Sequence, residues 1–297
     1  MALLVCLLPG VAGAQTGAMI PVPVVAPGPA PGPVRIVGGP GPGCIAGAEL
    51  LPDSAPGLQT VRLGRASFWG HPEVVAALRL LGERARAAGL PDLYMNDISA
   101  PRGGPLAGGH VSHQVGLDAD VYLDITAPRP VLAAAARAAI EPPSLVRPDQ
   151  RGVDMARWRP GHATLIKLAA GLAGVDRVLV NAAIKQQLCQ EVPAGERAWL
   201  RRVRPWYQHA SHMHIHFRCP AGQQECGDLP PVPDGDGCDA SLQWWFDRLD
   251  LPPEKPVARP ARKPMVPAAC GPILTAPASA SGNAAPGSAV PGGAGRR

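Results

Sequence analysis

The chain contains no CxxC pair, which excludes the thiolate knuckle that holds structural zinc in many small domains. It contains no HExxH, so the helical motif of the common zinc proteases is missing too. No block of lysine and arginine is present that could serve as a nucleic-acid arm, and the formal charge is only +5 over 297 residues. With a pI near 9.0, the surface is mildly basic, which would also suit a polyanionic partner such as a cell envelope. There is no internal repeat. No segment is long and apolar enough to be transmembrane.

The N-terminus, MALLVCLLPGVAGAQ, pairs a short apolar run (Ala2 to Val11) with an A-x-A cleavage pattern at Ala12-Gly13-Ala14. It lacks a basic n-region, yet it reads as a secretory signal over residues 1–14. Cleavage there removes Cys6 and leaves Cys44, Cys189, Cys219, Cys226, Cys238 and Cys270. An even count in an exported chain predicts three disulfides, with 15 pairings open.

Proline and glycine are unevenly spread. Residues 15–43 (VAPGPAPGPVRIVGGPGPG within them) and 252–297 are rich in both and read as linkers, and the part from 271 onward reads as a disordered tail. Cys44 and Cys270 sit at the inner edges of these segments, so a bridge between them would staple the ends of a globular domain over 44–270. Within it, Pro72 opens a helix to about Ala88, with Val74, Leu78, Leu81 and Ala85 on one face and Gly89 as its stop. Leu165, Leu168 and Leu172 mark a second helix, Arg177 to Val180 a strand, and 182–190 and 196–202 two further helices. The mixture predicts an α+β fold rather than regular βαβ alternation.

Two segments alternate with strand periodicity. In HQVGLDADVYL, Val115, Leu117, Ala119, Val121 and Leu123 share one face, and Asp118 and Asp120 share the other. In HASHMHIHFR, His212, His214 and His216 form a stripe backed by Met213, Ile215 and Phe217, as on a half-buried strand. Four of the eight histidines fall in residues 209–216, and His110 and His113 lie just before the first of these strands. A hydrolytic zinc site needs about three His or carboxylate ligands, one open position, and a base beside it. His113 and Asp120, with six residues between them, can converge on one ion. One histidine of the H-x-H would complete the set. The other lies about 7 Å along the same face, where a base is needed.

PRGGPLAGGHVSHQVGLDADVYL, NAAIKQQLC and VRPWYQHASHMHIHFRCP together resemble the penicillin-insensitive murein endopeptidases, of the LAS group of zinc peptidases, from about Cys44 to Cys270. The resemblance implies a small antiparallel sheet carrying the zinc site, flanked by helices and long loops and stapled by disulfides. It implies His113, Asp120 and His214 as zinc ligands, with His110 contacting a further ion when extra zinc is bound. His212 would be the catalytic base, and His209 a second catalytic histidine that stabilises the oxyanion or helps proton transfer. The implied disulfides are Cys44–Cys270, Cys189–Cys238 and Cys219–Cys226. The implied substrate is peptidoglycan, cut at D-alanyl-meso-diaminopimelyl cross-links in the periplasm. Carboxypeptidase relatives carry a Glu three residues before the last ligand. Here that position is Ser211, which weighs against a D,D-carboxypeptidase. A secreted metal-binding protein without chemistry is the alternative from another class, and the ordered spacing of two separate patches favours the enzyme.

Several residues stand outside this set. Asp118 could orient a ligand histidine or be a solvated carboxylate. His162 and Asp154 are expected to cap a helix or lie on the surface, and His71 to lie in a loop. Arg102 could meet a substrate carboxylate, though a surface role is expected. His216 is expected to fall short of the ion. Trp206 and Tyr207 could line a cleft or join the core.

Overall fold

The computed structural model describes residues 18–106, 110–125, 130–251 and 263–278. The signal expected over 1–14 and the tail beyond 278 lie outside these residues. No described helix is long and apolar enough to cross a membrane.

The helix predicted at Pro72 is present as α1 (Pro72–Ala87), with its expected face buried. Proline at its first position has the backbone angle a helix start needs. The imidazole of His71 accepts from the Glu73 amide, so His71 is an N-cap and not a loop residue. Gly89 takes a positive φ of 78° just past the end. Leu165 and Leu168 lie in α2 (Pro160–Ala170), whereas Leu172 follows its C-cap, Gly171, and is buried outside the helix. α3 is Ala182–Glu191 and α4 is Ala240–Asp247. Residues Ala194–Arg202 form a 3-10 helix, tighter than the α-helix predicted there.

Seven strands make the main sheet: β1 (Ser54–Ala55), β2 (Leu58–Thr60), β3 (Leu93–Met95), β4 (Asp118–Tyr122), β5 (Val175–Val180), β6 (Val203–Pro205) and β7 (His212–Phe217). Their order is β6-β5-β7-β4-β3-β2-β1. The central strands β5, β7, β4 and β3 are antiparallel, as expected of the part carrying the site, while β6–β5 and β2–β3 pair in parallel. Strand β4 is shorter than the alternation suggested. Gly116, at φ 73°, turns the chain so tightly that a Cβ there would meet Gly70 Cα at 3.1 Å. Both faces of β4 are buried. The polar face predicted for this strand therefore lies against protein rather than water.

Met213, Ile215 and Phe217 belong with Ala119 and Val121 to the main core, which also holds Leu165, Ile166 and Ala169 of α2. A second cluster joins the two ends of the domain: Ala30, Val37, Cys44 and Ala46 meet Val266, Cys270, Ile273 and Leu274. Hence both proline- and glycine-rich segments carry structure at their inner edges. Arg35–Gly38 pairs with Gly43–Ala46, Met19–Pro21 pairs with Met265–Pro267, and Cys270–Thr275 is helical. The six cysteines pair as the resemblance implied.

Arg102 explains how the ends hold together. It is fully buried, away from any substrate, and its guanidinium donates to the carbonyls of Gly28, Ile273 and Ala276 at 2.7–2.8 Å. A buried cation with no carboxylate partner among the described residues is tolerable because carbonyl dipoles surround it. Arg102→Met strands those carbonyls and is expected to lower the unfolding free energy by about 3 kcal/mol. Denaturant titration with the disulfides intact measures this. A loss below about 0.5 kcal/mol would show that the clasp contributes nothing.

Candidate metal centre

The register of β7 on β4 builds the site. His212 pairs with Tyr122, His214 with Asp120, and His216 with Asp118. All six side chains project from one face of the sheet, since alternate residues share a face. The three rungs set imidazole opposite phenol, carboxylate and carboxylate.

His113 reaches this face from the preceding loop through a left-handed backbone, φ 63°. Its Nδ1–H donates to the Ile98 carbonyl at 3.0 Å, which leaves the Nε2 lone pair free. That Nε2 lies 3.4 Å from Asp120 Oδ1, and His214 Nδ1 lies 3.1 Å from the same oxygen. Two ligand atoms about 2.1 Å from a tetrahedral zinc lie roughly 3.4 Å apart. The three ligands expected from the sequence are thus brought together, all buried. His110, His113 and Asp120 offer ligand atoms within 4.8 Å of one another, and so do Asp118, His214 and His216, so His214 stands between the two groups through its contacts with both aspartates. His110 Nε2 is 3.4 Å from Asp97 Oδ2 on the open side.

Asp118 is no solvated carboxylate. Its Oδ1 accepts from His214 Nε2 at 3.0 Å and from His216 Nδ1 at 2.7 Å. Its Oδ2 accepts from the His113 amide at 3.0 Å. Burial would raise the pKa of this group, but the two imidazoles override it and hold the carboxyl far below the usual range. Asp120 is held down likewise, against burial, chiefly by His113. Burial would lower His214, yet the hydrogen bonds to Asp118 and Asp120 raise it to about 10. Two buried carboxylates therefore demand positive charge at this point, and it is this demand that raises His214. A divalent cation answers the same demand, so the donor set fits zinc in both charge and ligand type.

His212 Nε2 stands 3.9 Å from Asp120 Oδ2, and burial pushes its pKa down, keeping the ring neutral. His209 lies beside it, ring centroids 4.9 Å apart. Its Nδ1–H donates to the Tyr207 carbonyl at 2.6 Å, and burial, then His212, lower its pKa to about 4. Gln208 and His209 are both left-handed, at φ 62° and 42°. Asn181 holds this strained turn, donating from its amide to the His209 carbonyl and from Nδ2 to the Gln208 carbonyl. Its Oδ1 meanwhile caps α3. The first residue of NAAIKQQLC thus positions His209, a role the sequence reading did not assign.

The centre opens into a cleft of about 530 Å³, lined on one wall by Arg62, Arg65 and Asp97. Asp97 was also missed. It is buried, and its carboxylate holds Arg65 and Ser67 and faces His110. The only signal for it was its place in YMNDIS, just after an apolar strand. His162 and Asp154 lie elsewhere. His162 accepts from the Arg159 amide at Nδ1 and donates from Nε2 to the Leu123 carbonyl, which leaves no nitrogen for an ion. Asp154 accepts from the Ala156 amide and pairs with Arg157. Trp206 and Tyr207 line the cleft and are half exposed, not core.

Asp118→Asn keeps the shape but weakens the hold on His214 and on the His113 loop. Zinc affinity is expected to fall about 10- to 100-fold, read by competition against a chromogenic chelator. Unchanged affinity would mean that Asp118 does not orient the ligands.

Comparison with known proteins shows the family. The family model described as penicillin-insensitive murein endopeptidase matches residues 36–275. A penicillin-insensitive murein endopeptidase of Klebsiella pneumoniae subsp. pneumoniae is 41% identical over 250 residues, covering 83% of this chain and 88% of the relative. One from Salmonella arizonae is 42% identical over 248 residues, with the same coverage. With the match spanning both the His113–Asp120 and the His209–His216 segments, the chain belongs to the penicillin-insensitive murein endopeptidase family.

Proposed function

We propose that the protein is a zinc-dependent endopeptidase that hydrolyses D-alanyl-meso-diaminopimelyl cross-links of peptidoglycan in the periplasm. One observation carries this reading. Strands β4 and β7 and the His113 loop bring a His2Asp donor set to one point, with two neutral histidines beside it on the cleft side. Three disulfides fit an oxidising compartment.

His113 through Nε2, Asp120 through Oδ1 and His214 through Nδ1 would hold the ion. When bound, zinc supplies a Lewis acid that polarises an amide carbonyl and makes water acidic enough to react near neutral pH. His212, kept neutral by burial, takes the proton of the attacking water and returns it to the leaving amine. His209 has committed its Nδ1–H to the Tyr207 carbonyl, so in its neutral form Nε2 only accepts. It can therefore donate to an oxyanion only after taking up a proton, which favours a proton-transfer role over that of a permanent cation. No serine nucleophile takes part, so an acylating β-lactam finds no target.

The reading is tested by digesting purified cross-linked muropeptides. Dimers should disappear, with the reaction blocked by chelator but not by penicillin. No cleavage by fully zinc-loaded protein would sink the proposal. Release of free D-Ala in place of dimer cleavage would make it a carboxypeptidase. His212→Ala should keep one zinc while losing about 10²- to 10⁴-fold in activity, whereas His113→Ala should lose the zinc itself. Loss of metal in His212→Ala would show that this residue is a ligand.

A further inference from the structure

The chain has six tryptophans and three tyrosines, and four of these nine meet in one surface patch. Tyr207 lies against Trp245 with ring centroids 4.8 Å apart, Trp206 against Trp245 at 6.0 Å, and Trp244 against Trp245 at 5.2 Å. Trp206 is 50% exposed, Tyr207 53% and Trp244 47%. The Arg248 guanidinium stacks on Trp244, 4.8 Å from its centroid. A contiguous exposed aromatic surface marks an interaction site, because leaving it in water has a cost.

The patch is continuous with the cleft and held rigidly to it. Trp206 and Tyr207 line the cleft, and the Tyr207 carbonyl fixes His209. Trp244 and Trp245 ride on α4, which packs on α3 and is tied to it by Cys189–Cys238. Asn181 at the start of α3 binds the His209 turn. A ligand crossing the rings is therefore placed in register with the metal centre.

We propose that these four rings form a binding platform for the glycan strand of the polymer whose peptide enters the cleft. The inference rests on the murein reading above. A four-residue stem spans at most about 14 Å, so the sugar strand that bears it must pass close to the cleft rim. Sugar rings present apolar C–H faces, which stack on the negative faces of aromatic rings, while their hydroxyls stay in water. A half-exposed row of indole and phenol rings suits such a ligand.

The test uses the full mature chain and glycan strands stripped of their peptides by an amidase, titrated by tryptophan emission and calorimetry. Wild type should bind the strands, and Trp244→Ala should weaken binding roughly tenfold, with Trp244→Tyr restoring most of it. The ratio of kcat/KM on intact sacculi to kcat/KM on a sugar-free cross-linked peptide should fall by a similar factor in Trp244→Ala, through KM. Absence of strand binding by wild type would overturn the platform, as would equal binding by Trp244→Ala at unchanged thermal stability. Rings already shielded from acrylamide in the free chain would overturn it too, since residues 252–262 or a second copy would then cover the patch. Strand binding without cleavage of any cross-link would leave the platform standing and count against the endopeptidase instead.

Discussion

The carboxylate of Asp118 is the interaction on which the rest of the centre depends. It is fully buried and accepts from the amide of His113 and from the rings of His214 and His216, tying together segments almost a hundred residues apart. A buried charge is expensive unless every lone pair is used, and here the partners are the groups that must be oriented. Because Nε2–H of His214 is spent on Asp118, it is Nδ1 that faces Asp120. Because the His113 amide is spent on the same carboxylate, the left-handed turn at His113 is held. His216, paired with Asp118 one rung beyond His214, holds the group that orients His214 and the His113 loop.

This polar arrangement is specified by apolar packing behind it. A slip of one residue between β4 and β7 would turn every histidine into the core and every apolar residue toward the cleft. Met213, Ile215 and Phe217 on one strand and Ala119 and Val121 on the other forbid that slip, since their burial stabilises only one register. Given that register, the division among histidines follows from position. His214 meets a carboxylate squarely, and His212 sits one rung nearer the cleft, opposite Tyr122.

What could be read in the sequence was what depends on period. The stripe of histidines, the paired aspartates and the apolar face of α1 all follow from side-chain alternation, and all are present. The three ligands and two catalytic candidates came with the family resemblance, and the structure gathers them around one point. What depends on tertiary approach was not legible. Asp118 as a buried acceptor, Arg102 inside a ring of carbonyls, and Asp97 holding Arg65 all get their roles from segments 32 to 174 residues away. The proline- and glycine-rich edges read as linkers because composition measures how much apolar surface a segment carries. It does not reveal that Ile36 and Leu274 find a place to bury what little there is.

The way the ends are clasped bears on what a metal would do at the proposed site. A domain too small for a core uses zinc to fold, and its zinc site is closed by four protein ligands. This chain has a large apolar core, three disulfides and the Arg102 clasp, and neither the disulfides nor the clasp includes His113, Asp120 or His214. Folding free energy thus has sources independent of the ion. The site itself has its closed side against the sheet, where Asp118 and His216 lie, and its open side toward the cleft, where His110, His209 and His212 lie. Three proposed ligands with titratable groups arrayed around the remaining direction would match the pattern of a centre that acts on something brought to it. That asymmetry follows from one strand pairing, buried at the Asp118 end and open at the His212 end.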